Sequence, residues 1–343
     1  MTISKPGERP SRVTVRQVAR EAGVSIATVS RVLNGHADVA EETRLAVRRV
    51  IRASGYGRRP GPVGPPGTGL VGVTTPVLHP GYFAEILSGA AEELYEHGLR
   101  AVLCPTMHSR ARELSLIERL AGGETDGAIL ILPEESGAEL ASLAGFPLVV
   151  VDPMAEIPDG IAVVCASHSF GATQATAHLL ELGHRRIGVI AGPAGWLATR
   201  ERLRGYHAAM AGAGAALDPG LVRHADFRLD GGRAAARELL GLPVPPTAIF
   251  AFNDAMAIGA MQAAAGLGLA VPADVSVVGF DDTSEAAVCV PALTTVRQPL
   301  AEMGRTAVGL LLRQLANRRF EPLRVELETR LVSRDSAVPP AGH

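Results

Sequence analysis

Residues 13–35 read VTVRQVAREAGVSIATVSRVLNG, and this stretch carries the signals of two short helices on either side of a tight turn. Thr14 is placed to cap the first helix, which Gly23 ends, and Ser25 is placed to cap the second, over residues 26–33. Two helices joined by a short turn that contains glycine form a helix-turn-helix, whose second helix enters the major groove of DNA. The stretch therefore predicts a small all-α DNA-binding head.

The second helix divides into an inward face and an outward face. Val29, Val32 and Leu33 are spaced to pack inward, against a third helical pattern at residues 43–53. Arginine can bridge guanine O6 and N7 with two hydrogen bonds, so Arg31 is suited to read a base. The side chains left to meet bases and phosphates are Ile26, Ala27, Thr28, Ser30 and Arg31.

The charge of the chain is divided unevenly. The 343 residues carry a net charge of −2, but residues 1–59 hold 12 basic and five acidic residues, a net of +7. The remainder holds 21 basic and 30 acidic residues, a net of −9. A basic head on an acidic body indicates a polyanionic partner for the head alone, although a basic helical surface without any partner would have the same composition.

The head resembles the DNA-binding domain of the LacI/GalR family over residues 13–35, and residues 41–44 and 55–56 continue the resemblance. The resemblance implies that Ile26 and Ala27 determine operator specificity and that Arg31 reads a base. It also implies residues that contact the DNA backbone and so position the protein on DNA. For the serines and threonines among them, simple helix capping is the alternative role. The implied backbone-positioning residues are Thr14, Ser25, Thr28, Ser30, Asn34 and Thr43.

The segment at residues 57–69 departs from the family pattern. Nine of its 13 residues are glycine or proline. In the family this stretch forms a hinge helix whose leucine wedges into the minor groove and kinks the operator. Proline costs about 3 kcal/mol and glycine about 1 kcal/mol at an interior helix position, so we expect a tether rather than a helix. We therefore predict that the protein binds its two half-sites without this central kink.

The body, from residue 70 onward, alternates short apolar strands with helical stretches. Continuously apolar strands separated by helices predict an α/β fold, with a parallel sheet covered on both faces. Ligands of such sheets bind outside the carboxyl ends of the strands. Its glycine-containing turns form neither GxGxxG nor a P-loop, so no nucleotide cofactor is expected. The predicted strands are 70–74, 101–103, 127–132, 148–151, 161–164, 187–191, 248–250 and 275–280, and predicted helices include 83–97, 171–182, 203–213 and 253–266.

The body also resembles the LacI/GalR family, for example at residues 178–187, 251–260 and 275–282. The resemblance implies a periplasmic-binding-protein-like core of two α/β subdomains with an effector cleft between them. The chain would cross between the subdomains near 163–168, 291–297 and 320–326. The expected organisation is a disordered lead-in at 1–12, the helix-turn-helix domain at 13–56, the linker at 57–69 and an effector-binding and dimerisation domain at 70–343, with subdomain one at about 70–163 and 297–320 and subdomain two at about 168–291 and 326–334.

Several polar and aromatic residues are candidates to line the cleft. Asp152 and Asp281 each follow an apolar strand, and a carboxylate there can accept hydrogen bonds from two sugar hydroxyls. Asp254 also follows a predicted strand and could either line the cleft or cap the helix that begins there. Phe250 is as compatible with the core as with a ligand platform. The effector positions implied by the resemblance are Tyr82, Phe83, Asp152, Trp196, Arg202, Phe250, Asn253 and Asp281.

The class of effector is only partly readable from these residues. Purine-responsive members of the family carry an arginine where this chain has Trp196, which favours a carbohydrate. The sequence YFAEI at residues 82–86 points back towards a purine. We expect a sugar, with a purine as the alternative.

These patterns predict a transcriptional repressor that binds a near-palindromic operator as a homodimer. The C-terminal residues 331–343 contain no heptads, so a tetramer held by a coiled coil is not expected. The body alone would also suit a periplasmic sugar receptor, but no signal peptide opens the chain. An enzyme is not expected, because His178 and His184 belong to no catalytic constellation.

The composition fits a cytoplasmic protein. The hydrophobic share of 47% is enough for a packed core and excludes wholesale disorder. No apolar run is long enough for a membrane span. The three cysteines lack the spacing of a metal site, so we expect no metal and no cofactor.

Overall fold

The computed structural model describes residues 19–33, 43, 47, 50, 67–78, 81–134, 139–140, 143, 145–317 and 321–341. The chain divides into two units, a head (Met1–Gly61) and a body (Pro62–His343). Among the described residues, the helices are too short or too polar to cross a membrane. All three cysteines are in the reduced, unpaired form.

The described part of the head contains the predicted helix-turn-helix. The first helix includes Ala19 and ends at Gly23, whose φ of 67° is the left-handed conformation that glycine adopts without a steric penalty. Helix α1 (Ile26–Leu33) follows, and the backbone N–H of Thr28 donates to the Ser25 hydroxyl at 3.1 Å. The predicted capping role of Ser25 is therefore confirmed, and Val29 is fully buried in a small apolar cluster with Ala19 and Val47.

The first sheet of the body contains six parallel strands in the order β11–β5–β4–β3–β1–β2. Its central strands are buried along their whole length because helices cover both faces, which explains why the sequence shows apolar runs rather than alternation. The strands are β1 (Leu70–Thr75), β2 (Arg100–Pro105), β3 (Gly127–Ile131), β4 (Leu148–Val151), β5 (Ala162–Ala166) and β11 (Arg324–Leu327).

The second sheet has the order β12–β10–β9–β8–β6–β7, and it is parallel except for β12, which runs antiparallel to β10. The body therefore has the predicted α/β class, with one sheet in each of two subdomains. The strands are β6 (Ile187–Ala191), β7 (Val222–His224), β8 (Ala248–Ala251), β9 (Ser276–Asp281), β10 (Thr294–Arg297) and β12 (Arg330–Val332).

Helices cover both sheets. In the first subdomain, α2 and α9 approach so closely that a Cβ on Gly89 would lie 2.0 Å from the Ala301 carbonyl oxygen, so this crossing requires glycine. The helices of the body are α2 (Tyr82–Glu96), α3 (Arg110–Arg119), α4 (His168–Glu181), α5 (Leu197–Gly212), α6 (Leu229–Leu240), α7 (Asp254–Gly266), α8 (Ser284–Val288) and α9 (Leu300–Ala316).

The chain crosses between the subdomains three times. It crosses between β5 and α4, between β10 and α9, and between β11 and β12. The second and third crossings come later than the predicted 291–297 and 320–326, because β10 extends the second sheet and β11 extends the first. At the third crossing the Thr329 backbone N–H donates to the Ser167 hydroxyl at 2.9 Å, which ties two crossing segments together.

Two predicted helices begin too late. Helix α4 starts at His168 rather than 171, and α5 starts at Leu197 rather than 203. The early turns of both carry buried polar side chains, such as His168 and Arg202, which break the apolar periodicity that the prediction used. These polar turns face the space between the subdomains, and their burial is a property of the tertiary structure.

The C-terminal segment is attached to the second sheet. His184 contacts the Val338 carbonyl oxygen at 2.9 Å and the Thr247 hydroxyl at 2.8 Å. The sequence also allows His184 to contact the carbonyls at a helix end, but its partners are the C-terminal segment and Thr247. Arg334 adds an ion pair with Asp282 at 2.5 Å.

Candidate functional site

The head exposes part of the predicted DNA-reading surface. Ile26 is 46% exposed, whereas Val29 is fully buried, so α1 has the predicted outward and inward faces. The Thr28 hydroxyl lies 2.9 Å from the Ser25 hydroxyl, which pairs two of the predicted backbone-positioning groups. Thr43 is helical and half-buried. The predictions for Thr14 and Asn34, and for the side chains of Ala27, Ser30, Leu33 and Arg31, lie outside the described residues.

Only the end of the predicted linker is described. Thr68 donates its backbone N–H to the Asp126 carboxylate at 2.6 Å, and Gly69 donates to the other oxygen at 2.8 Å. Asp126 thus holds the chain where it enters β1. Residues 57–66 lie outside the described part, so the absence of a hinge helix there stays a prediction.

The body brings two aspartates to the carboxyl ends of its sheets. Asp152 follows β4 in the first sheet, and Asp281 ends β9 in the second. Both are 6% exposed, and both adopt a positive φ, 50° and 119° respectively, which non-glycine residues rarely do. Such backbone outliers are concentrated at binding sites, because the surrounding structure must hold them in place.

Asp152 is fully engaged by the chain itself. One oxygen accepts a hydrogen bond from the Tyr82 hydroxyl, and the other accepts from His168 Nε2 at 2.7 Å. Burial by itself would raise the pKa of Asp152, but His168, Tyr82 and Arg202 together lower it below its ordinary value. Burial and the charge of Asp152 raise the pKa of Tyr82 well above its ordinary value, so the phenol remains a donor. Asp152 is therefore a stabilised carboxylate.

Arg202 lies at the centre of the polar groups of the second subdomain. It is 3% exposed, donates to the Phe252 carbonyl oxygen, and places Nη2 3.3 Å from His168 Nδ1. Its guanidinium lies 3.9 Å from the ring centroid of Phe280, a cation–π contact. Its Nε is buried and has no hydrogen-bond partner among the described residues. An unpaired buried donor is costly, so this atom is a natural contact for a ligand.

Asp281 is less well paired than Asp152. It accepts one hydrogen bond, from Gln298 Nε2 at 2.7 Å, and Arg202 Nη2 lies 3.9 Å away. Burial raises the pKa of Asp281 to about 7, against the lowering effects of Arg202 and Gln298. The Gln298 Oε1 atom is buried and has no partner in the described part of the chain. This end of the cleft therefore offers a carboxylate, a free acceptor and a free donor.

Aromatic rings lie beside these polar groups. Trp196 precedes α5, and its ring centroid lies 5.3 Å from that of Phe227. Trp196 also packs against the apolar core of the first subdomain, and the next backbone N–H, of Leu197, donates to the Met154 carbonyl at 2.7 Å. The rings of Tyr82 and Phe83 meet edge to face at 5.2 Å. The two subdomains therefore contact each other around the cleft.

The structure does not bring every predicted residue to this cleft. Phe250 is fully buried in the core of the second subdomain, 5.1 Å from Phe252, so its predicted effector contact is wrong. Asn253 caps α7 through Met256 N–H at 2.9 Å and donates to the Phe227 carbonyl, which leaves its amide engaged. Asn253 therefore supports the Phe227 segment.

Asp254 has a structural role that differs from the predicted one. It does not cap α7, because Asn253 does so. Its carboxylate instead accepts from the Thr295 hydroxyl at 2.5 Å and from the Thr283 backbone N–H at 2.8 Å. Burial and the charge of Asp281 raise the pKa of Asp254 well above its ordinary value.

Sequence reasoning missed several residues of the cleft. His168 begins the helix that follows β5, and Gln298 comes directly after β10, so both lie close to the end of a strand, as Asp152 does. That position could have identified them. The rings of Phe227 and Phe280 carry no comparable signal, because Phe280 lies near the end of an apolar run that indicates core and Phe227 lies between Asp226 and Arg228 outside any apolar pattern. Their role depends on Arg202, which is distant from both in the chain.

Cavities of different size lie in the described part of the body. One of about 170 Å³ adjoins Asp152 and His168 and is also lined by Cys165, Arg324 and Glu326. A larger one of about 340 Å³ lies beside β7 and α6 and shares none of the cleft residues. Two of the buried atoms without partners in the described residues, Arg202 Nε and Gln298 Oε1, belong to the cleft. Within the described residues, no cluster of His, Cys, Asp and Glu could hold a metal ion.

Comparison with known proteins identifies the family. Residues 14–58 match the bacterial regulatory proteins of the lacI family, and residues 176–337 match a periplasmic binding protein-like domain. The regulator CelR of Thermobifida fusca is 37% identical over 339 residues, which is 96% of this chain and 99% of CelR. The chain belongs to the LacI family. It is a helix-turn-helix transcriptional regulator with an effector-binding domain, and not an enzyme.

Other family members extend this comparison. The HTH-type transcriptional repressor PurR of Escherichia coli is 34% identical over 330 residues, covering 94% of this chain and 96% of PurR. Among solved structures, a CelR–cellobiose complex has a TM-score of 0.73 at 36% identity, covering 95% of this chain and all of that one. A lac repressor dimer bound to operator and an anti-inducer has a TM-score of 0.71 at 28% identity, covering 96% of this chain and all of that one.

Proposed function

We propose that this LacI-family regulator is a repressor controlled by a sugar that binds in the cleft between the two subdomains. The observation that carries the proposal concerns two residues that both contact the Asp281 carboxylate, Arg202 and Gln298. Each has a buried atom without a partner among the described residues, Arg202 Nε and Gln298 Oε1. A donor, an acceptor and a carboxylate at close range match the alternating donors and acceptors of vicinal hydroxyl groups.

The aromatic residues favour a sugar over a purine. A sugar presents an apolar face of C–H groups to a ring and a polar rim of hydroxyls to charged groups. Trp196, Phe227 and Tyr82 supply rings beside the charged residues, and Trp196 stands where the purine-responsive pattern has arginine. The similarity to CelR, which was solved with cellobiose, supports the same class of ligand here. The proposed contacts are Tyr82, Phe83, Asp152, Trp196, Arg202 and Asp281, with His168, Phe227 and Gln298.

The proposed DNA partner is a near-palindromic operator bound by a homodimer, with Ile26, Ala27 and Arg31 reading bases. The dimer proposal is supported by apolar side chains exposed on the body. Leu103 is 47% exposed on β2, an edge strand of the first sheet, and Tyr95 is 81% exposed at the end of α2. Exposed apolar groups of this kind mark interaction surfaces when they lie together. We also propose a cytoplasmic location, which DNA as the partner supports.

The effector proposal is tested by thermal unfolding of the full chain with cellobiose, glucose, adenine and hypoxanthine as probes. A ligand at about 100 times its dissociation constant stabilises the folded state by about 2.7 kcal/mol. We expect a sugar to raise the melting temperature and the nucleobases to leave it unchanged. Asp281→Ala should abolish this shift, whereas Asp159→Ala, at an exposed turn, should retain it. A shift with nucleobases and none with sugars would overturn the proposal.

The DNA proposal is tested by fluorescence anisotropy on a palindrome selected from a random duplex pool. We expect tight binding with a steep salt dependence. Arg31→Ala should cost about 1–3 kcal/mol on the selected site and much less on random DNA, if Arg31 reads a base. Equal losses on both would make Arg31 a phosphate contact. A bend measurement on the same site should show no sharp central kink, and an intercalated side chain from residues 57–69 would contradict the linker proposal.

A further inference from the structure

The chain itself already engages both oxygens of Asp152 and both terminal nitrogens of Arg202. Tyr82 and His168 occupy the two oxygens of Asp152. The Phe252 carbonyl oxygen and His168 occupy the two terminal nitrogens of Arg202. His168 is the one residue that contributes to both of these sets, and it was not among the residues that the sequence indicated. It therefore joins the two charged side chains to each other.

The contacts of His168 determine which of its nitrogens carries the proton. An arginine can only donate hydrogen bonds, so His168 Nδ1, 3.3 Å from Arg202 Nη2, is the acceptor. His168 Nε2 then carries the hydrogen and donates it to Asp152 at 2.7 Å. A single neutral tautomer satisfies both contacts. The ring is thus held between a negative and a positive group, with each of its nitrogens used.

His168 also connects the two halves of the body. Asp152 follows β4 of the first sheet, whereas His168 begins α4 and Arg202 lies on α5, both of which belong to the second subdomain. The contact is buried, since the side chains of His168 and Asp152 are 5% and 7% exposed. A charge-assisted hydrogen bond is about twice as strong as a neutral one, and burial from water strengthens it further. The link therefore favours the arrangement in which the two subdomains contact each other across the cleft, which is called closed below.

We propose that His168 is a positioning residue that latches the effector-free cleft shut, by standing between Asp152 and Arg202 in the place of an effector. An incoming polar molecule that uses Asp152 or Arg202 must replace a contact of His168 and supply the link itself. The free Arg202 Nε and Gln298 Oε1 remain available for first contact. The inference concerns the effector-free protein, so it holds whichever compound proves to be the effector.

The chain contains a natural reporter of this latch. Trp196 is its single tryptophan, and it belongs to the second subdomain while packing against the core of the first. Opening of the cleft would expose this ring to solvent. Acrylamide quenching of tryptophan fluorescence in the full-length, effector-free protein therefore measures the closed fraction. Removing one hydrogen bond to a charged group lowers the closed-to-open ratio about tenfold or more.

Three single variants, one double variant and one control variant test the latch. His168→Phe keeps a ring of similar size and loses both hydrogen bonds, so we expect a quenching constant at least about twice that of the wild type, as the open population rises. His168→Gln keeps a donor and an acceptor and should restore the wild-type value. Asp152→Ala should match His168→Phe, and the double variant should show no further rise, because both changes break the same link. His178→Phe, a matched change on the same helix α4, should leave quenching unchanged.

The outcomes separate a latch from a merely structural histidine. Unchanged quenching in His168→Phe, or equal quenching in the Phe and Gln variants, would overturn the proposal. Additive effects of His168→Phe and Asp152→Ala would overturn it as well, because the two residues would then act independently. Should His168→Phe fail to unfold cooperatively, the comparison of His168→Gln with Asp152→Ala carries the same test. None of these measurements uses a sugar, so a failure of the latch proposal and a failure of the sugar proposal are detected in different experiments.

Discussion

Asp152 and Asp281 occupy equivalent places in the two subdomains, yet their charge states differ. Each stands at the carboxyl end of a buried parallel strand, each is 6% exposed, and each has a positive φ. The pKa of Asp152 is lowered, whereas burial raises the pKa of Asp281 to about 7. The difference comes from their partners, since Asp152 accepts from both Tyr82 and His168, and Asp281 accepts only from Gln298. Position in the fold thus sets where a carboxylate stands, and its neighbours set its charge.

The two aspartates therefore have different roles in the cleft. Each oxygen of Asp152 already accepts a hydrogen bond from the chain, so Asp152 stabilises the closed arrangement of the effector-free protein. Asp281 is underpaired beside a guanidinium 3.9 Å away and two atoms without partners, so it gains most when a ligand supplies hydroxyl donors. The four predictions that follow test this difference, from the largest expected effect to the smallest.

The largest expected effect is that of Asp152→Ala on stability. The change leaves the Tyr82 hydroxyl and His168 Nε2 without their acceptor in a buried site, which typically costs about 3–5 kcal/mol when one partner of a buried charged pair is removed. Urea unfolding at pH 7 measures the free energy of unfolding. Asp281→Ala is the matched control and should cost clearly less. Equal losses would show that the two carboxylates are equally important for the fold.

A pH-dependent difference is expected between the wild type and Asp281→Asn. Because the folded pKa of about 7 lies above the ordinary 3.8, Asp281 favours the folded state most below pH 4, and this contribution is lost as the pH rises to about 7. The neutral asparagine shows no such loss. Relative to the wild type, Asp281→Asn should gain stability by roughly 2–4 kcal/mol between acidic and alkaline pH, at about 1.4 kcal/mol per pKa unit.

The measurement is the free energy of unfolding at pH 5 and at pH 8. The difference reports on Asp281 together with Asp254, because the charge of Asp281 also raises the pKa of Asp254. A pH-independent difference between variant and wild type would show that Asp281 is ionised throughout, like Asp152, and would remove the contrast between the two carboxylates.

A smaller effect is expected for Tyr82→Phe. It removes one of the two donors to Asp152 and leaves His168 in place, which should cost about 1.5–3 kcal/mol at pH 7, as for hydrogen bonds to charged groups. The pKa of Asp152 should rise, because the lost hydrogen bond favoured its charged form. Urea unfolding gives the stability, and Tyr95→Phe, at an exposed site, is the control. No loss would mean that His168 alone holds Asp152.

The smallest expected effect is that of Gln298→Leu. Its amide donates to Asp281 and favours the charged form, so the variant should raise the pKa of Asp281 further. The loss of stability should be about 1 kcal/mol larger at pH 8 than at pH 5, where Asp281 is largely protonated. Unfolding at these two pH values measures it. A larger loss of stability at pH 5 than at pH 8 would indicate that Gln298 stabilises the protonated form of Asp281.

The fold could be predicted from the sequence because its signals are local. The pattern of Gly23 and Ser25 marks the turn of the helix-turn-helix, and the apolar runs of β3 and β4 mark buried parallel strands, with all predicted strands ending within a few residues of the observed ones. The starts of α4 and α5 could not be predicted in this way. Their first two turns bury His168 and Arg202, which in sequence alone resemble exposed polar residues.

The candidate site was predictable only in part, for a related reason. Asp152 and Asp281 were identified because the position after a parallel strand is a ligand position in this class of fold. Phe250 occupies a similar place in the sequence but lies in the core, since its side chain is directed into the layer between sheet and helices. His168 was missed because a single histidine after a strand has no meaning until its partners are known.

By itself, the sequence determined the helix-turn-helix head, the alternation of strands and helices, and the two aspartates at the ends of strands, because periodicity and capping depend on residues a few positions apart. The tertiary structure decided which side chains meet. His168 reaches Asp152 across 16 positions, and Arg202 reaches the Phe252 carbonyl across 50. Burial and these distant partners set the charge of each carboxylate. The same residue type is therefore a stabilised anion in one subdomain and a weak acid in the other.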